Sequence, residues 1–170
     1  MTARYIKDHL FVENVGINNL IKKYPTPFYV YSTQTISETY KQLKKSLNKN
    51  IFYSVKANSN QSIISLLSKL GAGIDVVSGE ELQRALAAKV DPKKIIFEGV
   101  GKTKDDITLA IISKIKQINI ESFEELILVD KISKSLNMIA NIGVRINPNI
   151  KAKTNNKIST GKKNDKFGIS

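Results

Sequence analysis

Apolar residues in this chain switch repeatedly between two rhythms, and that switching constrains the fold more than any other feature. Short runs of β-branched and aromatic residues, predicted as strands, span 26–31, 51–55, 73–77, 95–97, 117–120 and 142–146. After each of the first five comes a stretch with apolar residues at helical spacing. Examples are Ile36, Tyr40, Leu43 and Leu47, then Ile63, Ile64, Leu67 and Leu70. Ser32 or Thr33, Ser78, Thr103 or Lys104, and Ser122 stand where helix caps belong, and Glu81 lies at capping-box distance from Ser78. Asn48 with Asn50, Gly71, and Asp91-Pro92 mark the stops.

Strand–helix units recurring about every 20–25 residues are the rhythm of a parallel sheet with right-handed crossovers. An open doubly wound sheet and a closed barrel both have it. The dinucleotide fingerprint is missing, because Tyr31-Ser32-Thr33-Gln34 after the first strand holds no glycine. A barrel is therefore the better reading. The predicted fold is α/β, a partial (β/α)8 barrel of about six units. The chain has 170 residues, whereas a complete barrel takes ~250. Residues 1–24 and 149–170 stand outside the repeat, the latter rich in lysine and asparagine.

Composition removes several classes of function. There is no cysteine, so no disulfide or thiolate chemistry, and the lone histidine, His9, cannot build a histidine cluster. Residues 1–10 mix charge and polarity unlike a signal peptide, and no stretch approaches ~20 apolar residues. A cytoplasmic protein without a membrane span is expected. The net charge of +12 invites a nucleic-acid reading. However, only Arg4, Arg84 and Arg145 among the 27 basic residues are arginine, and the lysines are scattered. Proteins that read bases or clamp phosphates favour arginine's planar fork. Nucleic acid is not expected as a partner.

In a barrel the chemistry sits at the C-terminal ends of the strands. Three charged residues fall in or beside such ends: Lys56, Asp75 and Arg145. A desolvated lysine loses its proton readily and can form a Schiff base with an aldehyde. The plainer reading is a strand-end lysine with its stem on apolar surface and its ammonium in water. Asp75 is a buried paired acid or a turn acid. Arg145 holds a carboxylate or phosphate, or makes a structural ion pair, with Asp75 as one available partner. Spacing alone leaves all of these open.

Six segments in register add a resemblance. Tyr53-Ser54-Val55-Lys56-Ala57-Asn58 resembles the Y-x-V-K-A-N segment of pyridoxal-phosphate (PLP) enzymes of the alanine-racemase fold. The stretch from Gly71 to Leu82, then Phe97-Glu98-Gly99-Val100-Gly101-Lys102-Thr103, and Ile118-Asn119-Ile120-Glu121-Ser122 are similar to later strand ends of the family's decarboxylases. Val144-Arg145-Ile146-Asn147-Pro148, and Ile158-Ser159-Thr160-Gly161 with Lys166-Phe167-Gly168-Ile169, resemble the diaminopimelate decarboxylases.

The resemblance implies a PLP-dependent carboxy-lyase that turns meso-diaminopimelate into L-lysine and carbon dioxide. Lys56 would carry the cofactor, Asp75 and Arg145 would flank it, and Asn155, Ser159 and Thr160 would line a substrate pocket. No metal is implied. Asn155 stands where the family usually has a histidine. The family is homodimeric and continues past the point equivalent to Ser170 with a glycine-rich phosphate loop and a β domain. Residues 1–24 are expected to belong to that β-rich domain and 25–170 to an incomplete barrel. This chain is expected to be a truncated form, inactive alone. Alternatives are a non-catalytic remnant, or another PLP-dependent basic amino-acid decarboxylase of the same fold.

Overall fold

A computed structural model describes residues 3–150 and 167–169. Its contacts divide into two units, Met1–Asn50 and Ile51–Ser170.

The first unit opens with a three-stranded antiparallel sheet. Strand β1 (Ala3–Ile6) pairs with β2 (His9–Val12), which pairs with β3 (Val15–Gly16). Ile6 lies opposite His9, so the hairpin loop is two residues long. Lys7 and Asp8 in it both have positive φ, the twist that suits a tight antiparallel turn. His9 is exposed, with Nδ1 3.3 Å from the Asn18 side chain. Helix α1 (Ile17–Lys23) follows, then α2 (Thr33–Leu47).

Ser32 caps α2 by accepting from the Thr35 N–H, and Asn48 ends it in the left-handed conformation. Glu13 reinforces the start of α2. Its carboxylate accepts from the Ser32 hydroxyl at 2.7 Å and from the Gln34 N–H at 2.8 Å. These bonds, the Ser32 one foremost, hold its pKa below the usual value.

The strand predicted over 26–31 does not form, because no backbone ladder involves it. A run of β-forming residues becomes a strand only with a hydrogen-bonded neighbour, and Pro25 and Pro27 each lack the N–H that a ladder needs. Tyr29 is left 89 % exposed.

The second unit contains the other five predicted strands. They form one parallel sheet in the order β4 (Phe52–Ser54), β5 (Gly73–Val76), β6 (Ile95–Phe97), β7 (Gln117–Ile120) and β8 (Ile142–Val144). Helices α3 (Gln61–Lys69), α4 (Gly79–Ala87), α5 (Lys104–Ile112) and α6 (Phe123–Leu136) connect them. Every strand pairs with its neighbour in sequence. A doubly wound sheet would reverse its order at a switch point; this one never does, and it is a partial barrel.

Side chains alternate along each strand. Ile74, Val76, Ile95, Phe97, Ile118 and Ile120 face the helices and join Ile64, Leu82, Ala85, Ile107, Ala110, Val129 and Ile132 in one core. Each large side chain fully buried here contributes roughly 1.5–3 kcal/mol. The caps are local and mostly as the spacing predicts. Ser78 and Ser122 accept from Glu81 N–H and Glu125 N–H. Thr103 and Asp106 form a reciprocal box. Glu81 departs from the box: its carboxylate accepts from the Val77 N–H at 2.8 Å. No helix among the described residues is long and apolar enough to cross a membrane.

Candidate active site

The face of the sheet opposite the core is polar. Ser54 lies beside Asp75, and Asp75 beside Ile96. Asn119 lies beside Gly143. Stepping two residues toward the C-terminal end from Ser54, Ile96 and Gly143 reaches Lys56, Glu98 and Arg145. Lys56, Asp75, Glu98, Asn119 and Arg145 line one cavity of about 430 Å³. The three residues predicted from the sequence thus come together.

Lys56 does not extend strand β4. It sits in a single tight helical turn, Val55–Ala57, just after the strand. Val55 is wholly buried, which anchors the turn, while Lys56 is exposed. The Tyr53 hydroxyl donates to the Asn58 carbonyl at 2.9 Å and ties the far side of the turn to the strand.

Asp75 is the strained group. Its Oδ1 is buried and has no hydrogen-bond partner. Burial pushes its pKa above the usual carboxylate value. The Ser54 hydroxyl lies near enough to oppose that shift, yet falls short of a hydrogen bond, since Ser54 Oγ is also unpartnered. Glu98 adds to the rise, whereas Lys56 and Arg145 lower it.

Arg145 pairs with Glu121 and makes no ion pair with Asp75. One guanidinium nitrogen meets both Glu121 oxygens, at 3.1 and 3.3 Å. The guanidinium also lies 4.7 Å from the centre of the Phe167 ring. Glu98 accepts from the Asn119 amide, whose oxygen in turn accepts from Gln117. Gly143 makes room for that chain: a Cβ there would stand 2.3 Å from both Asn119 Oδ1 and Gln117 Nε2.

Two further hollows, of about 390 and 530 Å³, border Met138, Ile139 and Ala140 just before β8. Neither gathers a comparable set of charged groups. Among the described residues no cluster of histidine, cysteine, aspartate or glutamate could hold a metal ion.

Residues 33–170 match the family model described as pyridoxal-dependent decarboxylase, pyridoxal binding domain. The chain belongs to the pyridoxal-dependent decarboxylases. It is 48 % identical over 153 residues to a diaminopimelate decarboxylase of Helicobacter pylori, covering 88 % of this chain and 38 % of that one. A crystal structure of the Helicobacter pylori enzyme complexed with L-lysine superposes with a TM-score of 0.84 at 44 % identity, over 89 % of this chain and 39 % of the other. The M. jannaschii enzyme in co-complex with L-lysine gives 0.85 at 40 % identity, over 99 % and 41 %. The chain spans about two fifths of the length of the curated relatives it matches.

The residues present fit what a pyridoxal-binding domain has to hold. An amine (Lys56), an unpartnered buried carboxylate oxygen (Asp75) and a guanidinium (Arg145) face one cavity. Its size falls in the range of small-molecule sites, about 300–1,000 Å³. Asn155, Ser159 and Thr160 lie outside the described residues. Glu98, Asn119 and Glu121 were not singled out from the sequence. A signal for Asn119 was there, since Ile118-Asn119-Ile120 repeats the apolar–polar–apolar pattern of Ile74-Asp75-Val76.

Proposed function

We propose that this chain supplies the cofactor-holding part of a diaminopimelate decarboxylase, which releases carbon dioxide from meso-diaminopimelate to give L-lysine in lysine biosynthesis. The convergence of Lys56, Asp75 and Arg145 on one cavity carries the reading. Relatives crystallised with L-lysine support an amino-acid substrate. Lys56 is the covalent attachment point of pyridoxal 5′-phosphate, and its exposure leaves the amine open to the cofactor's aldehyde. Asp75 and Arg145, which line the same cavity, would help to hold the cofactor and balance its charge. When bound, the cofactor supplies an electron sink for the electron pair left behind by carbon dioxide. Asn155, Ser159 and Thr160 belong to the substrate pocket.

The same reading makes the working enzyme a cytoplasmic homodimer that takes no nucleic acid. Residues 1–24, which hold the antiparallel sheet and α1, belong to a β-rich domain, and 25–170 to the barrel. Among the described residues five strands pair in one sheet, with a further bridge between Ile146 and Ile169 just past β8, whereas the barrel this chain resembles closes eight.

Borohydride reduction after incubation with pyridoxal 5′-phosphate tests the site. Peptide mapping should find the cofactor on Lys56 and no label in Lys56→Ala. Label spread over surface lysines would refute the assignment. meso-Diaminopimelate should perturb the bound cofactor's absorbance at lower concentration than ornithine or arginine. A preference for either of those would favour another basic amino-acid decarboxylase.

A further inference from the structure

Arg145 does not reach the cavity as a free side chain. Its orientation is set by Glu121, a carboxylate 3 % exposed at the end of β7. Besides Arg145, Glu121 accepts from two backbone N–H groups, Gly99 at 3.1 Å and Gly168 at 3.2 Å. One carboxylate therefore fixes the loop after β6, the stretch around Gly168 and the guanidinium together.

Glu121 is itself braced from behind. Its own N–H donates to Glu125 Oε2 at 2.7 Å. The other oxygen of Glu125 pairs with Lys102 Nζ at 2.8 Å. Lys102 spends its remaining donors on the carbonyls of Gly99 at 2.7 Å and Asn119 at 2.6 Å. Asn119 and Arg145 both line the cavity. The Lys102 side chain is 1 % exposed, and a buried ammonium is tolerated only when its donors are met in this way.

We propose that Glu121 is a positioning residue that presents Arg145 to the cavity, with Glu125 and Lys102 bracing it. The inference rests on the functional reading above. Glu121 does not itself line the cavity; of the five lining side chains it bonds Arg145, while its bond to the Gly99 N–H holds the backbone just after Glu98. In this proposal its effect on cofactor binding runs chiefly by way of the guanidinium. Side chains that hold a ligand are themselves held by such outer partners, whose loss commonly weakens affinity 10–100-fold in metal sites.

A double-mutant cycle on the full chain decides the matter, with the dissociation constant of pyridoxal 5′-phosphate, read from its absorbance, as the measured quantity. Glu121→Gln keeps the shape but cannot accept all three donors. It should weaken cofactor binding about tenfold, at the lower end of that range. In an Arg145→Met background the same substitution should change the constant less than about twofold, because the cation it acts through is already gone. Equal losses in both backgrounds would mean that Glu121 serves general stability, and the proposal falls. If Glu121→Gln does not fold, Glu121→Asp carries the same cycle with the charge kept and drawn back by one methylene. Failure of the parent chain to take the cofactor on Lys56 would overturn the functional reading, and this inference with it. Normal loading with an additive cycle would overturn this inference alone.

Discussion

Ser54 and Asp75 stand side by side on adjacent parallel strands, and neither Ser54 Oγ nor Asp75 Oδ1 has a hydrogen-bond partner. Two buried polar atoms left unsatisfied at one point are unusual in a folded core, where such atoms are nearly always paired. Asp75 lines the cavity that also holds Lys56 and Arg145. Local instability of this kind gathers where a site is kept ready for a ligand.

Asp75→Asn should therefore stabilise the chain at neutral pH. Burial raises the folded-state pKa above its ordinary value of 3.8. The folded state then holds a proton that the unfolded state has released, so stability falls as pH climbs from 3.8 through the raised value. Above that window the full penalty is present, and well below 3.8 it is absent. Asparagine carries no such penalty. The gain should stay below about 1 kcal/mol, since the group is partly open to solvent and screened. Urea unfolding at pH 7 and at pH 3 checks it. A gain of equal size at both values would contradict the account.

Lys56→Ala should leave stability within about 0.5 kcal/mol of the parent, because the side chain is exposed and, among the described residues, makes no hydrogen bond or ion pair. It should nonetheless abolish borohydride labelling. Thermal melting and mass spectrometry on the same sample separate the two effects.

Lys102→Met should be far more damaging. It leaves Glu125 buried without its cation, and breaking one side of a buried pair costs about 3–5 kcal/mol. Converting both partners, Lys102→Met with Glu125→Leu, should recover part of that loss. The recovery will be incomplete, because Glu125 also accepts from the Glu121 N–H. Guanidinium unfolding of the two single variants and the double variant measures the difference.

Gly143→Ala should displace Asn119 and Gln117. Its Cβ would come within 2.3 Å of both side chains, and overpacking of this kind costs about 1–3 kcal/mol. Asn119 lines the cavity, so cofactor affinity should fall along with the melting temperature. A stability loss with unchanged affinity would remove Asn119 from the site.

The sequence by itself determined the alternation of strands and helices, the serine and threonine caps and three of the five cavity residues. Each of these depends on neighbours within about one helical turn or on the two-residue period of a strand. The run at 26–31 misled because β-propensity describes a fit to a sheet and cannot supply the sheet. Only the tertiary structure decided the partners. Arg145 was free to pair with Asp75 as far as composition could say, yet it meets Glu121, 24 residues away along the chain. Glu98 and Asn119 joined the site through strand order and register. Lys56 took a tight turn just past its strand, where the amine is exposed to the cavity. Which side chains meet across parallel strands is set by how the strands are laid beside one another, and no local pattern records that.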